Sequence, residues 1–194
     1  MPGEFFLEGV VPSSTNGDNQ EDVEVNGESI GRPILYYIPN RTAEVTGKSS
    51  RLELLAATEI IAPVLDALIM VEGTQSDPVR DVTLSNFTFA HSAETYLKSY
   101  EVPSGGDYAI HRNGAVRLQG TERSTVSSCH FDRLGGNGLV LSDYNRNTTI
   151  AGNHFRKLGD SAMVLVGSAE LLDATGGNQP RLTKIEGNTA YESV

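Results

Sequence analysis

The apolar positions between Gly114 and Gly167 recur at a fixed interval. Val126 and Ile150, Phe131 and Phe155, and Leu134 and Leu158 are each 24 residues apart, and Leu139 and Leu141 keep that offset from Met163 and Leu165. The runs are short, β-prone and punctuated by Gly and Asn, so the interval predicts a solenoid. Ala67 to Gly73, Ala115 to Gly120, Gly138 to Asp143 and Ala162 to Gly167 align as the first strand of each coil. A second strand is headed by Val82, Val126, Ile150 and Ile185, and a third by Phe87, Phe131, Phe155 and Ala190. Three strands per turn with inward residues two apart predict an all-β parallel β-helix. Ile69, Val116, Leu139 and Met163 form one inward column, and Val71, Leu118, Leu141 and Leu165 the next. The rungs of each column lie about 4.8 Å apart.

Ser85, Cys129, Asn153 and Asn188 fall at the corner between the second and third strands. Small polar residues suit a corner that visits positive φ, and a stacked side-chain amide can bond along the column. The run Ile150-x-x-Asn153-x-Phe155 is also half of a leucine-rich repeat. However, that repeat needs a Leu where Asn147 stands, and Ala162–Val166 has strand rather than helix character.

The first 62 residues do not follow the interval. Glu4–Leu7 and Pro33–Ile38 are β-prone, the polar segment from Pro12 to Ile30 reads as a long loop, and Ser49–Ala57 as a capped helical turn ended by Pro63. The expected organisation is a small β-rich element over 1–62 packed on β-helix coils over 63–194, with insertions at 92–113 and 168–180. No polar capping repeat stands at either end, so the sequence reads as part of a longer chain.

Composition narrows the function. A formal charge of −10 argues against nucleic acid and against an anionic membrane surface as partners. No apolar run is long enough for a membrane helix. Sequons at Asn40, Asn86 and Asn147 fit an extracellular or secreted protein, although no signal-peptide pattern opens the chain. The lone Cys129 rules out an internal disulfide framework and occupies an inward position, which predicts an inert thiol.

Four segments carry a family resemblance. They are Gly3–Glu8 with Pro33–Pro39, the entry Ile60–Gly73, Val79–His91, and Cys129–Gly138. They resemble the modules GEWYLD…GTLYYWP, V-x-A-P-x-L-x-x-L-V-x-L-x-G, V-R-x-V-x-F-x-G-L-T-F-A-H and C-x-F-x-x-x-G-G-x-G of right-handed parallel β-helix repeat proteins in the pectin-lyase-like superfamily. Phe6 stands where that family has Tyr, and a long acidic loop divides the first module. The resemblance implies carbohydrate work on an extracellular polysaccharide or oligosaccharide, by a glycoside hydrolase or a polysaccharide lyase. Its other implication is a non-catalytic module that binds glycans or adheres to a surface.

Candidate chemistry lies where insertions leave the coils. His91 and His111 bracket the longer insertion, and with Asp107 and Glu72 they are the expected catalytic residues, a carboxylate and an imidazole serving as acid and base. Arg117, Glu94 and Gln119 are the expected substrate-binding residues, with Glu72 and Arg117 placed for a diagonal ion pair. Asp132 faces Arg156 one coil on and reads as structural. His130 stacks over His154 without an evident third ligand, so no metal and no cofactor are expected.

Overall fold

The computed structural model describes residues 61–96, 98–101, 110–168 and 176–192, together with four strands of the first sixty residues. Contacts divide the chain into two units, Met1–Ile60 and Ile61–Val194. In the first unit β1 (Phe5–Glu8) pairs antiparallel with β4 (Ile34–Tyr37). The segment read as a loop holds a hairpin, β2 (Val23–Val25) with β3 (Glu28–Ile30). Alternating Val23, Val25 and Ile30 around Asn26-Gly27 are a strong local hairpin signal, which the polar composition of the surrounding segment hid. The helical turn expected at Ser49–Ala57 lies outside the described residues.

The second unit is a parallel β-helix. Its first-strand sheet comprises β5 (Ile69–Glu72), β9 (Gly114–Glu122), β12 (Asn137–Arg146) and β15 (Met163–Val166), with β6 (Val79–Arg80) and β16 (Pro180–Arg181) at the side. The second-strand sheet is β7 (Thr83–Ser85), β10 (Thr125–Ser127), β13 (Thr149–Ala151) and β17 (Lys184–Glu186). The third is β8 (Thr88–Ala90), β11 (His130–Leu134), β14 (His154–Leu158) and β18 (Thr189–Tyr191). No helix occurs among the described residues, and Met163–Val166 is extended, which excludes the leucine-rich alternative.

The register follows from side-chain period two. Ile69, Val116, Leu139 and Met163 pair across the first sheet, as do Val71, Leu118, Leu141 and Leu165. Val116, Leu118, Leu139 and Leu141 are fully buried. Each such side chain contributes about 1.5–3 kcal/mol through burial. Phe131 and Phe155 stack with ring centroids 4.6 Å apart, and Phe89 follows at 5.0 Å from Phe131. Leu165 is exposed because no later coil covers it among the described residues.

The first coil departs from the expected register by two residues. Leu84, not Val82, pairs with Val126, and Phe89, not Phe87, pairs with Phe131. Likewise Ala90 lies beside Asp132, and Phe87 rather than Ser85 shares the corner with Cys129. The cause is a loop after β5: Glu72 pairs with Gln119 but Val79 already pairs with Thr121, so the residues between them swing outward. This loop and the two expected insertions leave the coils at surface turns.

Candidate functional site

Between the loop after β5 and the 176–178 end of the second insertion lies a cleft of about 690 Å³. Its floor is the end of the first-strand sheet, where Gln119 and Gly120 lie beside Asp143 and Tyr144 of the next coil. Gln75 forms one wall and Asn178 the other, and Gln75 Nε2 donates to the Gly176 carbonyl at 3.2 Å, joining the walls. Glycine is required where the floor meets the first wall. Gly120 has φ +61°, and a Cβ there would lie 2.1 Å from the Gly73 backbone.

A bulge puts the cleft's carboxylate in place. β12 slips register against β9 between Ser142 and Asn145, and Asp143 takes φ 57°, a conformation that Asp tolerates better than most residues. Buried Asn145 fastens the bulge from inside: its amide donates to the carbonyls of Ser142 (2.8 Å) and Leu118 (3.3 Å), and its oxygen accepts from Thr121 Oγ1 (2.8 Å). Ser142 Oγ donates to Asp143 Oδ2 at 2.7 Å. Buried Arg112, from the returning arm of the first insertion, donates through one nitrogen to Ser142 Oγ at 3.2 Å and to the Gly167 carbonyl at 2.5 Å.

Tyr144 completes the floor. Its hydroxyl donates to Glu122 Oε1 at 2.6 Å, and the Arg146 guanidinium lies 4.2 Å from its ring centre. The bond to Glu122 holds the phenol above its ordinary pKa, and the same bond, with Arg80 next, holds the Glu122 carboxyl below the usual range. Tyr144 therefore stays protonated at neutral pH and acts as a donor, not as a base. Arg146 is committed to the carbonyls of Asn145, Gly177 and Gln179 at 2.6–2.8 Å, which pins the second insertion beside the cleft.

The residues singled out from sequence are distributed unevenly about this cleft. Gln119 lines it. Arg117 donates to the Gln119 side-chain oxygen and pairs with Glu72 at 3.6 Å, the diagonal pair expected from the spacing. Glu72 itself is exposed. His111 is buried, with Nδ1 3.2 Å from Asp160 Oδ2 and Nε2 3.2 Å from the Lys98 carbonyl. His91 has φ 61° and donates its backbone N–H to the Arg133 carbonyl. No hydrogen bond, ion pair or ring contact joins His91 to His111 among the described residues. Glu94 is exposed on the first insertion, and Asp107 lies outside the described residues.

Away from the cleft, Arg156 Nε donates to Asp132 Oδ1 at 2.9 Å, the expected structural pair. His130 and His154 stack with centroids 5.0 Å apart, and no group of three or more metal-binding side chains occurs among the described residues. Buried Cys129 donates its thiol to the Ser127 and Leu84 carbonyls at 3.3 and 3.6 Å.

A family model for the right-handed β-helix region matches residues 67–191. The chain belongs to the right-handed β-helix family. No curated protein and no solved structure matches it. In this right-handed β-helix, the cleft residues Asp143 and Tyr144 on the sheet and Gln75 and Asn178 on the loops were not singled out by the sequence; only the first two left a trace in it. The detectable signal was one extra residue between Leu141 and Ile150 relative to Leu118 and Val126, which marks a bulge at a strand end.

Proposed function

We propose that this right-handed β-helix binds an oligosaccharide, or a segment of an extracellular polysaccharide, in the cleft floored by Gln119 and Asp143. The observation that carries this reading is the makeup of the cleft: two glutamines, an asparagine and a single carboxylate around a concave space of about 690 Å³. Side-chain amides both donate and accept, and a carboxylate accepts from two neighbouring hydroxyls, which suits the alternating donors and acceptors of a sugar ring. The floor stands on regular strands held by coils on either side, so the site is preorganised. The sequons fit the extracellular setting of such a ligand.

Binding is favoured over the hydrolase alternative by the carboxylate count. Hydrolysis of a glycosidic bond uses two carboxyl groups, about 5–5.5 Å apart for retention or about 6.5–9.5 Å apart for inversion. Asp143 is the one carboxylate among the described residues that line the cleft. Both ring nitrogens of His111 are engaged away from it.

A glycan array followed by calorimetry on the 194-residue chain tests the proposal. Saturable binding, weakened by Asp143→Asn and without release of reducing ends, is the expected result. Release of reducing ends that Asp143→Asn abolishes would replace binding with hydrolysis. No retention of any glycan would remove the carbohydrate reading.

A further inference from the structure

The charge distribution around the cleft points to the class of glycan it accepts. We infer that the site selects neutral sugars and rejects uronates, with Asp143 as the specificity-determining group and Ser142 as its positioning residue; the inference rests on the glycan reading above.

A uronate carries a carboxylate on every residue. Binding one in a concave site requires a cation to replace the water that each carboxylate loses. Elimination from a uronate additionally builds negative charge on that same carboxylate, which needs a neutralising group beside it. The described lining of this cleft contains neither lysine nor arginine. The two guanidiniums at its margin are already committed. Arg117 holds Glu72 and Gln119, and Arg146 holds three backbone carbonyls. The formal charge of −10 adds long-range repulsion of a polyanion.

Asp143 turns this deficit of positive charge into discrimination. Its carboxylate is half-buried on the cleft floor, and its one hydrogen bond among the described residues is the bond that Ser142 donates to Oδ2. Oδ1 is thereby left to accept from sugar hydroxyls. Because Ser142 Oγ already accepts from Arg112, its single proton is directed to Asp143, and this fixes the carboxylate's orientation. Arg112 is buried and comes from the first insertion, so that insertion reaches the cleft through a relay of two hydrogen bonds. A neutral sugar gains hydrogen bonds to an anchored anion, which are stronger than bonds to a neutral acceptor. A uronate meets that anion as a like charge.

The test is the ratio of affinities for size-matched neutral and anionic ligands, measured by calorimetry on the wild-type chain. Neutral gluco-, manno-, xylo- and galacto-oligosaccharides are compared with oligogalacturonate and oligomannuronate. The wild type is expected to favour its best neutral ligand at least tenfold. Asp143→Asn, nearly isosteric, is expected to weaken neutral binding about tenfold while improving uronate binding, so that the ratio collapses. A merely structural role would lower both affinities together. Ser142→Ala is expected to weaken neutral binding several-fold with little change for uronates, and Ser142→Thr to restore it. Equal or stronger binding of uronates by the wild type, or an unchanged ratio in Asp143→Asn, overturns the inference while leaving glycan binding intact. If neither ligand class binds, the glycan reading itself has failed.

Discussion

At the corner between the second and third sheets, asparagine takes the place of backbone pairing. Asn153 accepts from the Cys129 N–H through Oδ1 and donates to the Val126 carbonyl through Nδ2, both at 2.9 Å, while Asn188 repeats the pattern toward Asn153 and Ile150. The φ angles of Ser128 (53°), Gly152 (63°) and Gly187 (62°) just before these positions turn the chain and aim the side chain inward. Cys129 fills the same column one coil earlier. Its thiol donates to the Leu84 carbonyl, the counterpart of Val126 and Ile150, so a weak sulfur donor stands in for an amide. Asn153→Ala is expected to cost about 3 kcal/mol, because it strands the Cys129 N–H and the Val126 carbonyl in a dry corner. Conversely, Cys129→Asn is expected to stabilise the fold by about 1 kcal/mol by completing the ladder. Urea denaturation measures both. A loss of stability in Cys129→Asn would show that the corner lacks room for an amide.

At the scale of the element, what was readable from sequence depended on whether coils keep their length. Where Val126, Phe131 and Leu134 repeat 24 residues later, the pairing with Ile150, Phe155 and Leu158 is the one observed. Before β9 the loop after β5 changes the count, and strands assigned by composition alone slipped by two residues without changing face. A slip of two preserves the inward and outward alternation, so the hydrophobic pattern gave no warning. The cleft was less legible for the same reason: it is made by backbone excursions, a bulge, the loop after β5 and the second insertion, whose side chains carry no motif. Gln119 was accessible as an outward strand residue, whereas Asp143 faces the cleft only because the bulge lifts it. The first insertion is tied back by Lys98, whose ammonium pairs with Asp66 in the entry segment before β5. That hydrogen bond is the main reason the Asp66 carboxyl lies below its ordinary value of 3.8. A carboxyl depressed by folding stabilises above its unfolded pKa and loses that contribution as pH falls through the lower folded value. Amide exchange at Thr95 and Glu101, whose N–H groups donate to the Gly135 and Ile110 carbonyls, corrected for the intrinsic rate, is therefore expected to be constant from neutral pH to about pH 4 and to accelerate below it. Lys98→Met should produce the faster exchange already at pH 7; identical protection in that variant would mean the pair does not hold the insertion.

For the whole molecule, the consequence of stacking is that each coil is stabilised by the coils next to it and by little else. The column Leu84, Val126, Ile150 and Ile185 displays this directly: Val126 and Ile150 are fully buried, whereas Ile185, on the last described coil, is 47% exposed. Ile150→Ala opens a cavity between two covered coils and is expected to cost about 2–5 kcal/mol, while Ile185→Ala removes a half-solvated side chain and should cost less than half as much. The pattern of coupling is more diagnostic than either magnitude. Val126 and Ile150 touch, so their alanine variants share one cavity and should deviate from additivity by about 0.5–3 kcal/mol. Val126 and Ile185 are separated by the Ile150 rung, and their double variant should be additive within about 0.5 kcal/mol. Urea midpoints for the two double-mutant cycles measure these interaction energies. Equal coupling in both would mean that the coils respond as one undivided core. Coupling confined to adjacent coils would explain why the cleft lies over β9 and β12, each paired with a strand on either side: the floor beneath Gln119 and Asp143 is the part of the first-strand sheet with neighbours above and below.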